Sequence, residues 1–126
     1  MNLDGILAFE IFEHLPLSLV DKVLRSLSSS HVPRIVFSVP WNTRTPFYLK
    51  VKFPRITEFR FSLVLPRLNI STPAHFWELS AFPRSLGEKK LIKEDDLINL
   101  VSKHSYDLKQ LERVNCIQFY QADLRV

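Results

Sequence analysis

Residues 6–16 run Ile-Leu-Ala-Phe-Glu-Ile-Phe-Glu-His-Leu-Pro, and no other segment constrains the fold as tightly. An apolar stretch ends in two carboxylates and an imidazole, then a proline, then a helical pattern. A buried parallel strand reads this way, apolar on both faces and polar where it emerges. We read residues 4 to 12 as that strand. Residues 18 to 28 follow as an amphipathic helix, with Val20, Val23, Leu24 and Leu27 at i, i+3, i+4 and i+7. Ser18 and Asp21 have the spacing of a capping pair, and the serines at 28–30 with Pro33 close the helix. Residues 34 to 39 form a second short strand, stopped by Pro40. Strand, helix and strand within 40 residues predict a βαβ unit, with two parallel strands and a right-handed crossover. In open α/β sheets, ligands gather at the carboxyl ends of such strands. Glu10, Glu13 and His14 stand at that end of the first strand, and Trp41 and Asn42 at that end of the second.

The remainder is less regular. Prolines at 40, 46 and 54, among aromatic and basic residues, predict a loop over 40–55 with a short helix near 47–51. Residues 56–65 alternate, with Phe59, Phe61, Leu63 and Leu65 on one face, and predict a half-buried strand. Residues 66–92 read as mostly irregular around His75-Phe76-Trp77-Glu78-Leu79. A helix over 94–104 opens on acidic residues and ends on Lys103 and His104, which suits its dipole. Residues 106–114 and 117–125 read as closing strands.

Size and composition set the outer limits. A chain of 126 residues suits one domain, and 46% hydrophobic with 24% charged residues is ordinary for a globular protein. The net charge of +4 comes without a dense basic tract. The ten phenylalanines fall at core-periodic positions rather than among bases, which argues against nucleic acid as a partner. The arginines at 55, 60, 67 and 84 are scattered and read as solvated surface. No stretch has the length of a membrane span. Cys116 is the only cysteine. An internal disulfide is therefore excluded, and the simplest setting is reducing and cytoplasmic. With no base nearby in sequence, Cys116 reads as a small buried apolar residue. The two glycines, Gly5 and Gly87, cannot build a G-x-G-x-G cofactor loop.

In order, Phe9-Glu10-Ile11-Phe12-Glu13-His14-Leu15-Pro16, then Val36-Phe37-Ser38-Val39-Pro40-Trp41-Asn42, then His75-Phe76-Trp77-Glu78-Leu79-Ser80 resemble class I SAM-dependent methyltransferases, and residues 117–126 are similar to the family's last strand. The resemblance is to the C-terminal half alone. It implies an α/β fold: a partial Rossmann-like methyltransferase sheet of about four to five strands with flanking helices, one partial domain over 1–126. It also implies a methyltransferase half that lacks the glycine-rich part holding S-adenosyl-L-methionine, so that cofactor is expected by resemblance only and not of this chain alone. Glu13 and His14 take the catalytic places, orienting the methyl acceptor or taking its proton. Glu10, Trp41, Asn42, His75, Trp77 and Glu78 take places on the acceptor side. The string Glu10-x-x-Glu13-His14 with His75 also resembles the divalent-metal site of small-RNA 2′-O-methyltransferases. Because the same string recurs in family members without metal, no metal is expected here. The first strand would lie at the cut edge of the sheet. Association with itself, or with a chain carrying the other half, is therefore expected. A different class of function fits the missing glycine loop: a non-catalytic α/β interaction module that uses the exposed strand edge.

Overall fold

The computed structural model describes residues 3–51, 59–66 and 69–125; for residues 43–51 and 59–66 only the backbone is described. The main sheet has four strands: β1 (Ile6–Phe9), β2 (Arg34–Pro40), β8 (Tyr106–Val114) and β9 (Ile117–Leu124), in the order β1-β2-β9-β8. β1 and β2 are parallel, with Ala8 opposite Phe37, and helix α1 (Leu17–Ser29) connects them. The βαβ unit expected from the first 40 residues is therefore present. β9 lies antiparallel to both β2 and β8. The chain is mixed α/β.

The expected strand over 4–12 is shorter, because Glu10 breaks it. Its backbone is left-handed at φ 54°, a conformation that strains a residue with a Cβ. The Glu10 N–H donates to Ser38 Oγ at 2.9 Å, and the chain turns off the sheet into a 3₁₀ turn at Phe12–His14. α1 starts at Leu17 with Pro16 in the capping place and no side-chain cap, so Ser18 and Asp21 do not form a capping pair. Asp21 reaches instead to the end of helix α2 (Glu94–Ser102). It accepts hydrogen bonds from His104 Nε2 at 2.8 Å and Lys103 Nζ at 3.0 Å. These bonds hold its carboxyl down, at a pKa of about 2.

Three segments depart from expectation. Residues 43–51 form strand β3 (Thr43–Val51), not a loop with a short helix. It pairs antiparallel with β4 (Phe59–Pro66) as a separate two-stranded sheet. Pro46 sits in the irregular register between Arg44 and Phe47, where a missing N–H costs no ladder bond. The region expected to be irregular contains β5 (Trp77–Leu79), β6 (Arg84–Leu86) and β7 (Lys89–Ile92), a small sheet in the order β5-β7-β6. These strands are too short to show alternation in sequence. Gly87, at φ 71°, makes the turn between β6 and β7. Cys116 is exposed rather than buried, because it lies in the tight turn between β8 and β9. Of the scattered arginines, Arg84 is exposed as expected, whereas Arg55, Arg67 and the Arg60 side chain lie outside the described residues.

One core joins the layers. Ala8, Ile35, Phe37, Val39, Tyr120 and Ala122 from the sheet pack with Val20 and Leu24 of α1 and Leu97 and Val101 of α2. Both helices thus serve the same face of the sheet. The other face of β1 carries Leu7 and Phe9, which are 68% and 46% exposed. Phe9 meets Phe119 edge-on there, with centroids 5.7 Å apart. No described helix is long and apolar enough to cross a membrane.

Candidate functional site

The 3₁₀ turn after β1 places Phe12 and Glu13 inward and leaves His14 half-exposed. Sixty residues later the chain returns to it. The Phe76 N–H donates to the Glu13 carbonyl at 2.7 Å, and Trp77 Nε1 donates to the Phe12 carbonyl at 3.0 Å. Those two bonds seat His75 beside the turn. The imidazoles of His14 and His75 meet edge to face, with centroids 4.9 Å apart. Glu13, His14 and His75 each offer one ligand atom, and all three atoms lie within 4.8 Å of one another.

The two imidazoles are held in the same sense. His14 Nδ1 lies 3.1 Å from the Ala74 carbonyl, and His75 Nδ1 lies 2.6 Å from Glu78 Oε2. Both partners can only accept, so in the neutral rings the proton sits on Nδ1 and Nε2 carries a lone pair. The two Nε2 atoms lie 3.9 Å (His14) and 4.0 Å (His75) from Glu13 Oε1. These separations are too long for hydrogen bonds. They also exceed the roughly 3.3 Å that two ligand bonds of about 2 Å span at a tetrahedral centre, so the three groups would draw closer to share an ion.

Glu13 is 1% exposed, and its Oε2 is buried with no hydrogen-bond partner among the described residues. Burial pushes its carboxyl up. Its own backbone N–H and the neighbouring His75 and His14 counter only part of that. A buried carboxylate oxygen without a partner is costly. The donor set of two imidazole nitrogens and one carboxylate is one that cations of the manganese-to-zinc series accept, whereas calcium and magnesium favour oxygen alone.

The other expected site residues fall into distinct places. Glu78 is fully buried in β5. Asn42 Nδ2 and the Ser71 N–H donate to its Oε1, and Ser71 Oγ and His75 Nδ1 to its Oε2. Burial works against its charge, but the bonds from Ser71, His75 and Asn42 outweigh it and keep the carboxyl below its ordinary range. Asn42 is therefore a buried support of Glu78, tied also to the Asn69 carbonyl at 2.9 Å. Trp77 is fully buried in the core, with its Nε1 spent on the Phe12 carbonyl. Trp41 is half-buried, and the guanidinium of Arg113 lies 4.0 Å over its ring. Glu10 is exposed and stays outside the cluster. Ser71, in the loop before β5, was not singled out in the sequence. A lone serine in an irregular stretch carries no pattern that would mark it.

Gly5 lies against the Arg34 carbonyl, where an added Cβ would sit 3.0 Å from the oxygen, and Gly87 serves a turn. No protein-family model matches the chain, and no curated protein matches it.

Proposed function

We propose that this chain is the acceptor-side half of a SAM-dependent methyltransferase-like domain in which Glu13, His14 and His75 hold a divalent cation. One observation carries the cation: two imidazoles with their Nδ1 atoms tied to acceptors direct both Nε2 atoms toward a buried carboxylate whose second oxygen has no partner among the described residues. The position of the cluster supports the rest of the reading. It lies just beyond the carboxyl end of β1, beside a parallel strand, where α/β sheets place their ligands. The strand assigned by resemblance as the last one, β9, joins that same sheet.

When bound, a divalent cation supplies Lewis-acid polarisation to a hydroxyl acceptor. Glu13 and the two imidazoles fix where that acceptor would sit, which is a contribution of proximity and orientation. The residues present do not fit SAM itself, since the two glycines are spent on packing and a turn. In this reading the methyl donor is held by a half outside these 126 residues.

The test is calorimetry with Mn²⁺ or Co²⁺, with Ca²⁺ for comparison. One transition-metal ion per chain is expected, bound more tightly than calcium. Absence of heat with manganese and cobalt overturns the cation site.

The exposed Leu7 and Phe9 favour a second reading, a non-catalytic module that pairs through the edge of β1. Clear SAM binding by the chain alone would contradict that module. Light scattering tests the association that both readings share, and a monodisperse monomer at micromolar concentration would contradict it.

A further inference from the structure

We propose that Glu78 is the positioning residue of this site: clamped by Asn42 and Ser71, its carboxylate takes the Nδ1–H of His75 and leaves the Nε2 lone pair facing Glu13. The proposal rests on Glu13, His14 and His75 being cation ligands, and assigns to Glu78 a task other than touching an acceptor.

The hydrogen-bond inventory makes the assignment specific. Oε1 of Glu78 receives Asn42 Nδ2 and the Ser71 backbone N–H, which can only donate. The Asn69 carbonyl, an obligate acceptor, fixes which end of the Asn42 amide faces inward. Oε2 receives Ser71 Oγ and His75 Nδ1, both of which can switch between donating and accepting. The carboxylate is therefore locked from the Oε1 side and dictates the proton position on the Oε2 side. A carboxylate behind a ligating histidine sets both its tautomer and its ring orientation. Among the described residues His14 has the Ala74 carbonyl in that place, a neutral and weaker partner.

Glu78→Gln tests this with almost no change of shape. The obligate donors hold the amide oxygen at the Oε1 place, so the NH₂ group falls at the Oε2 place. His75 Nδ1 must then accept, its proton moves to Nε2, and the nitrogen facing Glu13 loses its lone pair. The experiment uses the full chain labelled with ¹⁵N, with the imidazole tautomers read from long-range proton–nitrogen correlations at about pH 8, above the ordinary imidazole pKa of about 6.5. Wild-type His75 should be the Nδ1–H form without any metal, and Glu78→Gln should convert it to the Nε2–H form. Cobalt affinity by calorimetry should fall about 10- to 100-fold in the same variant.

A wild-type His75 protonated on Nε2 overturns the proposal without recourse to any variant. So does a Glu78→Gln chain that binds cobalt as tightly as wild type. The tautomer readout also separates this claim from the one beneath it. A wild-type Nδ1–H signal with no cobalt heat contradicts the cation site, while supporting the hydrogen bond between Glu78 and His75.

Discussion

Glu13 and Glu78 are both withdrawn from water, yet the fold treats their charges in opposite ways. Glu78 collects four donors on two oxygens and is held below the ordinary carboxylate range. Glu13 keeps one oxygen without a partner among the described residues, and burial pushes its carboxyl up. The same residue type at the same depth is thus saturated in one place and starved in the other. His75 touches both sides of this contrast, with Nδ1 on Glu78 and Nε2 turned to Glu13. The saturated carboxylate is fixed by its donors, whereas the starved one keeps an oxygen for which the described residues supply no partner.

The largest expected effect lies on the saturated side. Glu78→Ala strips the partner from four donors at once and should cost about 3–5 kcal/mol in urea unfolding of the metal-free chain. On the starved side the sign differs. Glu13→Gln removes a poorly compensated buried charge, and metal-free stability should rise or stay within about 1 kcal/mol of wild type. A loss as large as that of Glu78→Ala would break the comparison. Asp21 sharpens the comparison as a carboxylate that is paired near the surface. Its His104 and Lys103 hydrogen bonds lower its pKa from 3.8 to about 2. The stabilisation is present above the unfolded value and is lost as pH falls from 3.8 toward 2. Acid unfolding curves of wild type and Asp21→Asn should therefore converge across that window. Curves that stay equally separated at all pH values would contradict the pairing.

The sequence made the βαβ unit legible because a doubly apolar strand and a 3.6-residue stripe are strong local signals. It also marked Glu13, His14 and His75 as residues of interest. Their convergence depends on the Phe76–Glu13 backbone bond, a tertiary contact that no local pattern encodes. The surroundings of Trp77 and Asn42 were equally illegible: Trp77 packs in the core and Asn42 donates to Glu78, contacts that only the tertiary fold creates. The prolines at 40, 46 and 54 make the segment around β3 resemble a loop, although only Pro46 falls within the strand and an irregularity in its register accommodates it. Short strands such as β5–β7 owe their form to pairing rather than to propensity.

Cobalt titration of the wild-type chain beside Glu13→Gln tests the central claim most directly, because the starved carboxylate is what distinguishes a cation site from two histidines in edge-to-face contact. One cobalt ion per wild-type chain, with binding lost in Glu13→Gln, is the predicted result. No binding by wild type, or equal binding by both chains, would contradict it.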